Sequence, residues 1–177
     1  MNATDAAVVA DETTPRGDVA DKVIRNYALG SIVPSLIPVP MLDLVGVTAI
    51  QLKMLHSLSR TYDVPFKEEA GRSALAALIG GTASLGTSRI VSSAVKAIPF
   101  VGQITAAVTM PVINGGSTYA IGKVFKQHFE SGGTFLTFDA AKVRAYFEEQ
   151  LKAGKAVVAA AMASGDTAKE AGGKSKA

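Results

Sequence analysis

Ile37-Pro-Val-Pro-Met-Leu-Asp-Leu-Val-Gly-Val-Thr-Ala-Ile-Gln-Leu-Lys-Met-Leu-His-Ser-Leu-Ser-Arg60 decides how this chain is read. An apolar run leads into it, with no charged residue from Asn26 to Leu42. Three prolines, Pro34, Pro38 and Pro40, interrupt that run. Pro34 removes an amide donor and crowds the preceding turn, which kinks or ends a first helix. Pro40 suits the first position of the next helix. Asp43 then falls in that helix's first turn, where a carboxylate complements the helix dipole. Charge thickens only toward the end, at Lys53, His56 and Arg60, and Asp63-Val-Pro65 stops the helix. A second uncharged corner, Ile98-Pro-Phe-Val-Gly102, lies between two more apolar segments. The expectation is two helical hairpins, with corners at Pro38 and Pro40 and at Pro99 and Gly102.

Composition agrees with an all-α fold. The chain has 177 residues, enough for one domain with a core, and is 48% hydrophobic but only 6% aromatic, with no Trp. Ala, Gly, Val, Ile and Leu supply the apolar mass, which suits close-packed helices better than a β-sandwich. Mean hydropathy of +0.27 is high for a soluble domain with polar tails. A formal charge of +3 says little about polyanionic partners. Few aromatics interleave the basic residues, so no nucleic-acid partner is expected. Without Cys there is no disulfide or thiolate metal site. Residues 1–20 carry Asp5, Asp11, Glu12 and Asp18 and no apolar signal core, so residence on the cytoplasmic side is expected.

Three domains are expected: a disordered acidic tail over 1–18, a helical membrane-associated domain over 19–153 and a flexible Ala/Gly/Lys tail over 154–177. The first helix should start near Asp18–Asp21, capped by Asp. A third helix should start at Phe66–Glu69. Its small residues Ala74, Ala77, Gly81, Ser84 and Ser88 recur at steps of three and four, a stripe that lets a second backbone approach closely. The fourth segment, 97–122, is the longest charge-free run, with 26 residues. As a helix it would reach roughly 39 Å, more than a hydrocarbon core of about 30 Å. Pro111 and Gly115-Gly116 argue against one straight helix there. Asp139 reads as the N-cap of a last helix with Val143, Tyr146, Phe147 and Leu151 on one face and Gly154 after its end, with a frayed continuation to about Met162 as the alternative.

Uncharged tips over basic bases form the pattern of hairpins entering a bilayer from the cytoplasm, either as transmembrane helices or as shallow re-entrant insertions. Those bases are Lys22, Arg25, Lys53 and Arg60 for the first hairpin and Lys67, Arg72, Lys123 and Lys126 for the second. Asp43, Arg89 and Lys96 oppose that reading, because each is costly in hydrocarbon unless paired. They are candidate buried ionic groups. His56 and His128 sit at helix ends and suggest no metal site. Ser131-Gly-Gly-Thr134 lacks the lysine and the preceding strand of a phosphate loop. No catalytic, cofactor or metal constellation emerges, and no enzyme is expected.

Two stretches carry a family resemblance. The first is Ile37 to Leu55 with Arg60-Thr-Tyr-Asp63, and the second is His128-Phe-Glu-Ser-Gly-Gly-Thr-Phe-Leu-Thr-Phe-Asp139 with Tyr146-Phe-Glu-Glu149. Over roughly residues 20–155 the chain resembles an uncharacterised bacterial membrane family, the domain of unknown function associated with Era-like GTPases, here as a stand-alone member. The resemblance implies an integral or tightly bound inner-membrane helical domain that sometimes works with a GTPase and supplies no catalytic residues. The resulting expectation is a membrane-embedded adaptor or scaffold that contacts lipids, forms a homo-oligomer and keeps both termini cytoplasmic. The alternatives are a channel or transporter subunit, with Asp43, Arg89 and Lys96 along a polar path, and a soluble helical interaction domain.

Overall fold

The structure, a computed structural model, describes residues 15–32, 40–83 and 105–164, with side chains described over 15–32, 46–80 and 109–164. Among these residues there are five α-helices: α1 Arg16–Gly30, α2 Pro40–Thr61, α3 Glu68–Ala83, α4 Thr105–Glu130 and α5 Ala140–Ser164. Among the described residues there is no strand, so the fold is all-α as expected.

Cross-helix contacts show that helices consecutive in the chain alternate in direction. Tyr27 of α1 meets Ser57 of α2 at 3.1 Å, and Arg16 meets Asp63 just beyond α2 at 3.1 Å. Gln51 meets Thr118 at 3.3 Å and Tyr62 meets Glu130 at 2.7 Å, so α2 and α4 run parallel. Val158 of α5 lies against Gly115 of α4, and Gly154 against Tyr119, so that pair is antiparallel. The starts of α1, α3 and α5 and the ends of α2 and α4 therefore share one end of the bundle. The opposite end is made by the other five helix termini.

The core follows from helical spacing. Ile24, Met54, Leu55, Leu58, Leu78, Ile121, Val124 and Phe125 are all fully buried. Burying one such side chain contributes roughly 1.5–3 kcal/mol. Phe147 is buried, and Val143, Tyr146 and Leu151 pack around the same core, which is the face expected for the last helix. Asp139 caps that helix, its Oδ1 accepting from the Ala141 amide at 3.0 Å. α2 begins at Pro40, as its fixed φ favours. Beyond its end Asp63 takes a left-handed φ of 55°, which Asp tolerates, and the Val64 amide donates to Ser59 O at 2.8 Å.

Several boundaries differ from the sequence reading. α1 starts at Arg16, one residue after Pro15, rather than at Asp18–Asp21. α4 starts at Thr105 and passes through Pro111 and Gly115-Gly116 as one helix. Pro111 lies early in it, so the carbonyl that loses its partner belongs to the helix's first turn. α5 does not stop at Gly154 but continues to Ser164, close to the longer alternative read from the sequence. Gly154 is buried because α4 leaves no room for a side chain. A Cβ there would come within 2.7 Å of the Gly116 carbonyl and 2.8 Å of Tyr119 Cβ. A glycine read as a helix stop is thus a point of close helix packing, in the most extensive helix pair of the fold.

Candidate functional site

The two ends of the bundle differ in chemistry. At the end holding the starts of α1, α3 and α5, charged side chains meet across helices. Asp21 on α1 accepts from Lys123 Nζ at 2.7 Å and from Lys126 Nζ at 2.8 Å, both on α4. The lysines can share one carboxylate because i and i+3 lie on the same helix face. Lys126 also faces Glu130 at 3.9 Å, and Glu130 accepts from the Tyr62 hydroxyl at 2.7 Å. Lys123 lies 5.6 Å over the Tyr119 ring.

Burial pushes the Asp21 pKa up, but the two lysine hydrogen bonds outweigh it and leave the carboxyl below its ordinary range. Burial pulls Lys123 down, while Asp21 pulls it up more strongly, for a net rise. Tyr62 is raised by burial and by its hydrogen bond to Glu130. These groups neutralise one another and tie α1, α2 and α4 together. Among the described residues, no group of three or more His, Asp or Glu could hold a metal ion.

Aromatic rings fill the space beneath. Phe125 stacks on Phe138 at 4.5 Å, and Phe135 meets Phe66 at 5.5 Å and Phe129 at 5.2 Å. His128 Nε2 lies 2.9 Å from the Thr134 carbonyl, which can only accept, so that nitrogen carries the proton. His56 sits 4.8 Å from the Phe66 ring. Both histidines hold loops in place. Beside them an apolar hollow of about 120 Å³ is lined by Pro65, Lys67, Ala70, Thr134, Phe135 and Leu136. Leu136 itself is 86% exposed.

The opposite end holds the charge-free parts of the described helices, including residues 26–30, 46–52, 73–80 and 109–122. Between Arg25 and Lys53 the sequence has one charge, Asp43; between Arg72 and Lys123 it has two, Arg89 and Lys96. Leu29, Ile32, Val158 and Ala161 form a small separate cluster there. Met110 is 56% exposed and Ile79 43%. Among the described residues no helix is long and apolar enough to cross a membrane.

Of the residues expected to matter, Ala74 is buried in the core, whereas Ala77 is exposed. Gly80, beside the stripe, has open space where a Cβ would stand. Gly81 is in α3, and Ser84 and Ser88 lie outside the described residues. So do the corner residues Pro38, Pro99 and Gly102 and the candidate ionic residues Arg89 and Lys96. Asp43 is in the first turn of α2, its side chain outside those described. Close helix approach is found on α4. A Cβ on Gly122 would stand 2.7 Å from Ile24 Cγ1. Sequence reasoning missed Asp21 as the partner of Lys123 and Lys126. The i, i+3 spacing of the lysines was visible, but not the helix that would face them.

Comparison with known proteins places this architecture. No solved structure matches the chain. It is 42% identical over 149 residues to a protein named magnetosome membrane protein 22, from Magnetospirillum gryphiswaldense. That alignment spans 84% of this chain and 76% of the relative. Residues 4–156 match the family described as Domain of unknown function (DUF697). With that match over most of its length, the chain belongs to the DUF697 family.

Proposed function

We propose that this chain is a non-enzymatic helical adaptor that sits on a membrane by its charge-free end and presents its charged end to the cytoplasm. The observation that carries the reading is the exposure of Met110 and Ile79 at the end where the helices are charge-free. Exposed apolar surface bordered by charge is characteristic of interaction sites. From Thr105 to Gly116, α4 rises roughly 17 Å, about half of a ~30 Å hydrocarbon core. That depth fits insertion into one leaflet and keeps both termini on the cytoplasmic side. The relative's name, a membrane protein, supports the same reading. Self-association and a GTPase acting in trans belong to the proposal, and a pull-down from native membranes in mild detergent tests both.

Vesicle flotation tests the orientation. Met110→Asp adds a charge where insertion is proposed and should weaken binding by roughly 2–3 kcal/mol, on the order of 100-fold. Leu136→Asp makes the same chemical change at the opposite end and should leave binding unchanged. Equal loss from both variants, or loss from neither, would overturn the orientation.

A further inference from the structure

Taken from the charge-free end, the first charged side chain described on every helix is basic. Going back from the ends of α1, α3 and α5 it is Arg25, Arg72 and Lys155; going forward along α2 and α4 it is Lys53 and Lys123. The one charge ahead of these in the helices is Asp43, in the first turn of α2, whose side chain is not described. All five basic residues come before any glutamate is reached. Such an order would not arise from helix stability alone, because the C-terminal dipole that favours cations acts only within the last turn. Arg25, Lys53, Arg72, Lys123 and Lys155 all lie deeper than that.

Packing contacts put the five at nearly one level. Gly122 packs against Ile24 and Met54, the neighbours of Arg25 and Lys53. Leu52 in turn packs against Gly71, the neighbour of Arg72. Lys155 lies against Gly116. Measured along α4, the set therefore spans about residues 116–123, roughly 10 Å of axial rise.

We propose that Arg25, Lys53, Arg72, Lys123 and Lys155 form a basic belt that binds the headgroups of anionic phospholipids around the inserted end. The proposal rests on the membrane reading above and adds a lipid preference to it. Charge complementarity favours this occupant. Among the described residues, Arg25, Lys53 and Lys155 have no acidic partner. Arg72 and Lys123 are held by Glu68 and Asp21. Lys155 is half-buried with its stem along α4, and burial alone pulls its pKa down. A long stem on apolar surface with the ammonium at its edge is how lysine reaches an interface. A lipid phosphate there would supply the missing counter-charge.

The test is flotation of the full chain with vesicles of phosphatidylcholine alone and with 30% phosphatidylglycerol. The wild type should bind the anionic vesicles more tightly, and the excess should fall as salt rises. Each cation contributes about 5-fold at an anionic surface, so Arg25→Gln/Lys53→Gln/Lys155→Gln should lose on the order of 100-fold. Arg16→Gln/Lys67→Gln/Lys142→Gln removes the same charge from the other end and should lose less than about 5-fold. Equal wild-type binding to both vesicles would overturn the belt and leave the membrane reading standing. Equal losses in the two triple variants would also overturn it, in favour of unspecific attraction. No flotation with either vesicle would overturn both. Should the belt variant fold poorly by circular dichroism, the wild-type comparison and its salt dependence still decide.

Discussion

At the charged end, Phe125, Phe129, Phe135 and Phe138 pack under a cover of paired ions, and little apolar surface is left over except Leu136. At the charge-free end, Leu29, Ile32, Val158 and Ala161 make a core of small extent, and Met110 and Ile79 stand in solvent. One end satisfies its own groups, and the other leaves apolar surface for something else to cover. The two ends should therefore respond differently to the same kind of change. The largest contrast is expected for aromatic truncation. Phe125 is fully buried among three other rings, so Phe125→Ala should cost about 3–5 kcal/mol in urea unfolding. Ile79→Ala should cost under ~1 kcal/mol in water and show its effect in vesicle binding instead. Equal stability losses would mean that the charge-free end is as well packed as the other.

Between the ends, the α4–α5 contact is the next point of attack. Gly154→Ala forces a methyl against the Gly116 carbonyl, a backbone atom that cannot turn aside. Overpacking of this kind costs about 1–3 kcal/mol, against a gain of about 1 kcal/mol in helix propensity. Gly80→Ala has open space around it and should show only the gain. Opposite signs in thermal melts would separate packing from propensity. If both variants were stabilised, Gly154 would not be a packing residue.

The same pair shows what was legible in the sequence. Helix count, the core face of α5, the Asp139 cap and the polar ends of α2 and α4 follow from local pattern and could be read directly. Gly154 could not, because a glycine at a helix stop and a glycine under a crossing helix look alike without the partner. The small residues Ala74 and Ala77 look alike in the sequence for the same reason, yet one is buried and the other exposed. Charge segregation along each helix was visible, but its alignment at one level needed contacts such as Lys155 with Gly116. Asp21 read as a cap, since nothing local says that it sits opposite Lys123 and Lys126.

Asp21 gives the next smaller effect. Asp21→Asn leaves two mostly buried lysines without their counter-ion, yet the carboxylate is 41% exposed and partly screened. A loss of about 1 kcal/mol at neutral pH is expected. The sign with pH follows from linkage. The folded pKa lies below the ordinary 3.8, so the stabilisation is present above that value and is lost as pH falls through the lowered folded value. Wild type and variant should therefore converge in acid. Lys123, raised above its ordinary 10.5, acts in the other direction: its share is present below that value and is lost as pH rises through the raised one. A constant difference between the two proteins across the whole range would exclude the clamp as its cause.

The smallest effect should come from an ion pair that resembles this clamp in sequence and distance but not in burial. Arg16 and Asp63 meet at 3.1 Å with side chains 68% and 75% exposed, against 21% and 15% for Lys123 and Lys126. Water and salt screen the exposed pair, and ordering two long side chains offsets most of the remaining attraction. Arg16→Gln should therefore change stability by no more than ~0.5 kcal/mol, and the change should vanish at high salt. Asp21→Asn should keep part of its effect there, because lysines at 15–21% exposure are less open to screening ions. Denaturation of both variants at low and high salt makes the comparison. If Arg16→Gln cost as much as Asp21→Asn, burial would not be what distinguishes the clamp. The charged end would then be held by its overall charge pattern rather than by one carboxylate between two sheltered lysines.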